Sequence, residues 1–475
     1  MELDKDLRSR QETRELIEQA HKAFEILKTF DQNCIDGIVA AMAEAGEQHA
    51  ARLGQMAAEE TGFGNAKDKE IKNCFAAQRV HEAIKNMKTV GILHKDEARK
   101  VWDVGVPVGV IAGIVPSTNP TSTVIYKSLI ALKAGSPIVF SPHPGAVNCT
   151  VEAAKLMAQA AEAAGCPKGA IGCIPTPTMD AVKELMGHRH TRLILATGGP
   201  GMVKAAYSSG KPAIGVGAGN GPAYIHKSAN IPKAVADIIR SKTFDNGTVC
   251  ASEQSVVLEE CCADRVKEEF KRQGGYFLSE QEAGQVSKLL LRCDGSMNPK
   301  IVGKTACEIG KMAGLSVPAD TKVLIAHETQ AGPTRPYSRE KLCPVLAFFV
   351  EKNEDTVLAR AIEVLLGEGA GHTFCLHATD EAVITRFALQ VPVSRFLVNT
   401  PASLGGVGLS TGLFPALTLG CGAVGGSSSS NNIGPLDLIN IRRVAWGVEE
   451  AAVPQQPDSK LIEQLTQEIL RRLGK

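Results

Sequence analysis

Apolar residues recur at three- and four-residue steps from residue 7 to about residue 54, with good helix formers between them. This pattern predicts helices that bury one stripe. Residues 92–110, ILHKDEARKVWDVGVPVGV, change period and read as two short strands around a charged turn. From there the chain alternates: the apolar runs in GVIAGIVP, SPIVFSP, AIGCIP and RLILATGG are each followed by a helical stretch, at 121–134, 148–164, 179–187 and 200–208. Uniformly apolar strands alternating with helices indicate βαβ units around a parallel sheet covered on both faces. A second strand and helix series begins near residue 233 and continues past 350, which predicts a second α/β domain facing the first.

The end of the chain differs. After GGSSSSNN (425–432) and a Pro/Gln linker, PQQPDS, Leu461, Ile462, Leu465, Ile469 and Leu473 form an apolar stripe, with Ser459 as the expected cap. Lys460, Glu463, Gln467, Glu468 and Arg471 take the opposite face. Two readings stand side by side, a helix docked on its own protein and a tethered docking tag. A helix this short is marginal in water without a partner.

The length of 475 residues calls for two or three domains. A net charge of +1, from 52 basic and 51 acidic residues, argues against a polyanionic partner such as nucleic acid. Thirteen cysteines without a CxxC pair point to a reducing compartment, away from a disulfide scaffold or a zinc ribbon. The charged N-terminus and the lack of an 18-residue apolar run predict an intracellular protein with neither a secretory signal nor a membrane span. His188 and His190 form an H-x-H with no accompanying ligand pattern, so they read as a surface pair and no metal is expected.

Candidate chemistry sits at the joints. IVPSTNPT (114–121) places Asn119 where a strand gives way to a helix. LATGGPGM (195–202) enters a helix through glycines that let backbone N–H groups approach a phosphate, although the spacing is not GxGxxG. AIGVGAGNGPAYI (213–225) joins the two series, and SREKLCPVLAFFV sets Glu340 before an apolar strand. SKTFDNGTVCASEQSVV (241–257) delivers Cys250 through an Asn-Gly turn to the start of another. Each has a plain alternative: a buried small hydrophobe for Cys250, a helix cap for Asn119 beside Pro120, and a solvated strand-end charge for Glu340.

The order of PSTNP, ATGGPG, GVGAGNGP, NGTVC and EKLCPV resembles the aldehyde dehydrogenase superfamily. SKTFDN before Cys250 and CASEQSVV from it onward resemble its CoA-acylating branch, which includes the aldehyde domain of bifunctional aldehyde-alcohol dehydrogenases and microcompartment acetaldehyde and propionaldehyde dehydrogenases. The likeness extends to about residue 448. It implies an aldehyde dehydrogenase-like α/β fold of two Rossmann-type domains with parallel sheets and a small β oligomerisation arm. Residues 1–235 would form the NAD-binding domain, with the arm at about 92–110, and 236–425 the catalytic domain. Residues 426–452 would be a strand segment for oligomerisation, and 453–475 a linker and amphipathic helix, a candidate encapsulation peptide.

The resemblance also implies roles. Cys250 would be the nucleophile, passing through a thiohemiacetal to a thioester, with the oxyanion held by Asn119 and the Cys250 N–H. The cofactor would lie among Pro116, Ser117, Thr118, Ser141, His143, Pro144, Thr197, Gly198, Gly199, Met202, Val216, Gly217, Glu340 and Leu342, with Glu340 on the nicotinamide ribose. His372, in GEGAGHTFCLH, would touch the nicotinamide side or assist thiol deprotonation, the alternative being a histidine satisfied by backbone partners. NAD is the implied cofactor and CoA the implied co-substrate. The implied setting is a homodimer or homotetramer in the bacterial cytoplasm, inside a microcompartment and bound to its shell through the C-terminal helix.

Two departures sharpen this. Val216 stands where hydrolytic relatives carry the glutamate that activates water, so the thioester is expected to wait for a thiol. The expected reaction is then the reversible conversion of acetaldehyde or propionaldehyde to acyl-CoA. SPHP (141–144) replaces the usual Lys-Pro-x-Glu that grips the adenosine ribose, which leaves NAD against NADP open. The competing readings are a hydrolytic enzyme giving the free acid, and a non-catalytic shell-interaction protein.

Overall fold

Parallel strands buried along their whole length set the architecture. In the computed structural model, which describes residues 4–448 and 459–474, the first seven strands are β1 (Gly91–Asp96), β2 (Val101–Pro107), β3 (Val110–Ile114), β4 (Ile138–Ser141), β5 (Ile171–Cys173), β6 (Thr191–Thr197) and β7 (Ala213–Val216). They are followed by β8 (Gly221–Ile225), β9 (Glu253–Glu259), β10 (Gly275–Phe277), β11 (Val323–His327), β12 (Val345–Glu351), β13 (Gly371–His377), β14 (Val393–Val398) and β15 (Ile439–Ala445). Five strands in the order β5-β4-β3-β6-β7 form one sheet and seven in the order β10-β11-β12-β9-β8-β13-β14 another. Every pairing within these two sheets is parallel.

All residues of β3, β4, β7, β8, β9 and β13 are buried, as strands covered by helices on both faces must be. In the first sheet, helices Pro120–Lys133, Val147–Ala163, Met179–Gly187 and Pro200–Tyr207 follow β3, β4, β5 and β6, each within a residue or so of the expected stretch. Pro120 occupies the first helical turn, where the missing N–H costs nothing.

One expectation changes. The seven-stranded sheet takes in β8 at Gly221–Ile225, so it begins before the expected boundary at 235: the apolar run PAYI pairs with β9 and β13 and buries all its residues there. The segment expected at 426–452 supplies β15, which pairs antiparallel with β2 of its own chain over residues 439–445 in the small sheet β1-β2-β15. Among the described residues no strand pairs with the outer edge of β15, where Ile441 and Val444 are exposed.

The C-terminal stripe does form a helix, Ser459–Arg472, with Ser459 as its first helical residue and no buried residue. Leu461, Ile462, Leu465, Ile469 and Leu473 are each about half exposed or more. The linker at 453–458 and residues 449–452 of the expected strand segment lie outside the described residues. Among the described residues no helix is long and apolar enough to cross a membrane.

Candidate active site

The two large sheets meet end to end. The carboxyl ends of β3, β4, β6 and β7 face the amino ends of β9 and β12 across one cavity of about 460 Å³. Ligands of parallel sheets collect at carboxyl ends, and the first sheet follows that rule. The second contributes its opposite ends.

Cys250 reaches the cavity from a short 3-10 turn, Phe244–Gly247, three residues before β9. Asp245 and Asn246 there adopt left-handed backbone, φ +48° and +51°, a conformation uncommon outside glycine and more common at functional turns. Burial, and secondarily the Glu340 carboxylate, push the Cys250 thiol up to about 12, so it rests protonated.

Asn119 lines the same cavity. It occupies the cap position of helix Pro120–Lys133, yet its side chain makes no capping bond. Instead Oδ1 accepts from Lys72 Nζ at 2.6 Å, and Nδ2 donates to Thr118 Oγ1 at 3.1 Å. Behind it, Lys127 donates to the carbonyls of Ile114 and Leu195 at 2.7 and 2.9 Å, tying the ends of β3 and β6 together. Burial brings Lys127 down to about 7.

Of the expected cofactor residues, Pro116, Ser117, Thr118, His143, Thr197, Gly198, Gly199, Val216, Gly217, Glu340 and Leu342 line the cavity. A Cβ added at Gly199 or Gly217 would meet nothing within 4 Å, so bare backbone faces open space beside the start of helix Pro200–Tyr207. Ser141, Pro144, Met202 and His372 lie off the lining. Ser141 ends β4 buried, Pro144 is exposed just beyond, and Met202 packs on the core beneath the glycine turn. His372 is fully buried in β13, with Nδ1 on Thr373 Oγ1 at 2.8 Å and Nε2 without a hydrogen-bond partner among the described residues. Burial takes its ring down to about 3, so it stays neutral, partnered by a hydroxyl where backbone partners were the plain expectation.

Glu340 accepts from the Gly219 N–H at 2.8 Å, and burial raises it to about 8. A second carboxylate on the lining, Glu368, is taken up by Arg339 at 2.9 Å and by the Glu340 N–H at 2.7 Å. Leu404, Val407, Leu409, Leu417 and Leu419 make an apolar wall, with Ser403 beside them.

Sequence reasoning missed Lys72, Thr248 and Glu368. KDKEIK reads as a solvated charge run, and the one available signal, a lysine pair at i and i+3, marks a helix face without naming a partner. His188 and His190 lie beside Glu18 at 3.8 and 3.5 Å. The grouping with metal-ligand spacing among the described residues, His226, Glu259 and Glu354, has the Lys227 ammonium donating to both carboxylates.

The aldehyde dehydrogenase family model matches residues 6–274. The chain belongs to the aldehyde dehydrogenase family. Within it, the bifunctional aldehyde-alcohol dehydrogenase AdhE of Escherichia coli K12 is 45% identical over 449 residues, which cover 94% of this chain and 50% of that protein. The chain thus spans about half the length of the curated relatives it first matches. An acetylating aldehyde dehydrogenase from Geobacillus thermoglucosidasius superposes with a TM-score of 0.93 at 53% identity, over 94% of this chain and 99% of that one. A Rhodopseudomonas palustris propionaldehyde dehydrogenase with bound CoA and an acylated cysteine gives 0.84 at 28% identity, over 91% and 97%. A propionaldehyde dehydrogenase from the Clostridium phytofermentans fucose utilisation microcompartment gives 0.83 at 29% identity, again over 91% and 97%. The Rossmann-type α/β architecture is that of these aldehyde dehydrogenases.

Proposed function

We propose that the protein is a CoA-acylating aldehyde dehydrogenase that converts a short aliphatic aldehyde, acetaldehyde or propionaldehyde, to its acyl-CoA through an acyl-Cys250 thioester, reversibly. The observation that carries this reading is that Cys250 and Asn119 share a cavity with Val216, an aliphatic side chain where hydrolytic relatives bear their base. The relative with CoA and an acylated cysteine supports it.

In this reading the Cys250 sulfur adds to the aldehyde carbon once its proton has left, while the Asn119 amide and the Cys250 N–H donate to the oxygen. One well-placed donor of this kind contributes about 3 kcal/mol. The bare backbone at Gly198, Gly199 and Gly217 fits a dinucleotide, since side chains there would fill the cradle, and the five-stranded part is read as the NAD-binding unit. When bound, the nicotinamide supplies a hydride acceptor and CoA the acceptor thiol. Glu340 and Leu342 close the opposite side, and the apolar wall at Leu404, Val407 and Leu419 suits a short alkyl chain. With no carboxylate at position 216, the thioester persists until a thiol attacks it and Cys250 leaves as thiolate.

Hydrolysis is the second reading, and Glu340 gives it a specific observation, a carboxylate on the same lining raised to about 8. Its hydrogen bond to Gly219 turns one oxygen away from that task. The experiment mixes protein, NAD and propionaldehyde with and without CoA and follows reduced cofactor. CoA-dependent turnover supports acyl transfer, CoA-independent turnover supports hydrolysis, and no turnover leaves a shell-interaction role.

We further propose that helix Ser459–Arg472 is a packaging tag for a microcompartment shell, as the exposed stripe and the microcompartment relative suggest. Fusing residues 454–475 to a reporter is expected to bring it to shell particles. A diffuse signal in a shell-producing host would count against the tag. A dimer or dimer of dimers through the β1-β2-β15 sheet completes the reading.

A further inference from the structure

Lys72 lies on helix Ala66–Cys74, a stretch no family motif singled out, and is 5% exposed. Its ammonium has three hydrogens and three acceptors: Asn119 Oδ1 at 2.6 Å, Thr248 Oγ1 at 3.0 Å and the Asp245 carboxylate. A lysine ammonium only donates, so the amide it meets must present oxygen to it. That fixes the other end of Asn119. One Nδ2 hydrogen goes to Thr118 Oγ1, and the second is left for the cavity.

Asp245 anchors the arrangement from the other half of the molecule. Fully buried, its carboxylate also accepts from Lys69 Nζ at 3.0 Å, Thr248 Oγ1 at 2.7 Å and the Asn65 N–H at 2.9 Å. Lys69 Nζ in turn donates to the Thr118 carbonyl at 3.0 Å, so both lysines grip the loop that carries Asn119. Asp245 sits five residues before Cys250 in the left-handed turn that delivers the thiol. A single carboxylate therefore ties the loop of Asn119 to the turn of Cys250. Gly64 leaves room for it, since a Cβ there would come within 1.7 Å of Asp245 Oδ1.

We propose that Lys72, held by Asp245, is a positioning residue that orients the Asn119 amide so that its N–H faces the reacting oxygen beside Cys250. The inference rests on the acyl-transfer reading above. With all three of its hydrogens engaged, the Lys72 ammonium acts through Asn119 and takes no proton from Cys250. Burial lowers its pKa to about 8, and the carboxylate opposes that fall, which keeps the donor charged near neutral pH.

The test compares Lys72→Met, Asn119→Ala and the double variant in the CoA-dependent propionaldehyde assay, with Cys250 alkylation by iodoacetamide measured on each. Lys72→Met is expected to lower kcat on the order of 10- to 100-fold with KM for the aldehyde within about threefold, as loss of an oxyanion donor does. Alkylation, which develops no oxyanion, is expected to stay within about threefold of the parent. In the double variant Lys72→Met is expected to cost nothing beyond Asn119→Ala, because one residue acts through the other. Multiplying losses, an unchanged kcat, or alkylation falling in step with kcat would each overturn the proposal. Should Lys72→Met not fold, Lys72→Leu carries the same three expectations. A parent protein without CoA-dependent turnover overturns the acyl-transfer reading instead, so the two failures are told apart.

Discussion

The two mouths that face each other across the cavity are built from opposite materials. At the carboxyl ends of the five-stranded sheet the lining includes bare backbone at Gly198, Gly199 and Gly217, and the buried Lys127 beneath it is spent on two strand-end carbonyls. At the amino ends of the seven-stranded sheet lie titratable groups, half-buried Cys250 and Glu340 on the lining and buried Glu253 and His372 off it, each moved toward its neutral form by desolvation. Backbone donors and space suit holding a large anionic ligand. Desolvated acids and thiols suit bond making, because their protonation states respond sharply to what enters. On the proposed reading the difference gives binding to one sheet and chemistry to the other, with Asn119 as the exception, a donor for the reaction that hangs from the binding side.

Substitutions on the two sides are therefore expected to separate kcat from KM. Cys250→Ser removes the sulfur proposed to carry the acyl group and is expected to lower kcat by about 10⁴-fold or more, with dinucleotide affinity unchanged, as steady-state kinetics and equilibrium titration will show. Residual turnover near the parent's would break the comparison at its chemical side. Asn119→Ala is expected to cost about 10²- to 10³-fold in kcat although the residue lies on the binding side. If KM for NAD moves instead, the exception disappears and the division between the sheets becomes complete. Gly199→Val tests the binding side alone. With φ at −65° and nothing within 4 Å of an added Cβ, folding is expected to be unaffected, as a thermal melt will check, while KM for NAD rises about tenfold from the filled cradle.

How much of this was legible in the sequence follows the same division. The binding side was written locally: apolar runs gave β3, β4 and β6, and PSTNP and ATGGPG sat at their ends, where the cavity opens. Cys250 and Glu340 were legible through motif likeness and do line the cavity, but their titration states were not, since those depend on burial by residues far along the chain. Lys72 was illegible for that reason, with its counter-ion 173 residues away. The boundary at 235 failed because Gly221–Ile225 is apolar enough to serve either sheet, and only pairing with β9 and β13 decides. Met202 and Ser141 share motifs with lining residues but point their positions into the core, a distinction spacing alone does not make.

The smallest effect concerns charge on the chemical side. Burial first, then Glu340, holds the Cys250 thiol up at about 12, while burial raises Glu340 itself to about 8 with the Gly219 N–H pulling the other way. Below pH 8 the Glu340 carboxyl is mostly protonated and has no charge to set against a thiolate. Above pH 8 it ionises and opposes the loss of the Cys250 proton, so the parent's alkylation rate must climb less steeply than that of an isolated thiol. Glu340→Gln removes the opposing charge and keeps the shape. Iodoacetamide rates for the two proteins are thus expected to agree at pH 7 and to diverge by about three- to tenfold in favour of the variant by pH 9.5, one pKa unit being a tenfold change in thiolate. A ratio flat across this range would mean that the Glu340 charge does not reach the sulfur, and that the two carboxyl and thiol groups of this mouth titrate as strangers.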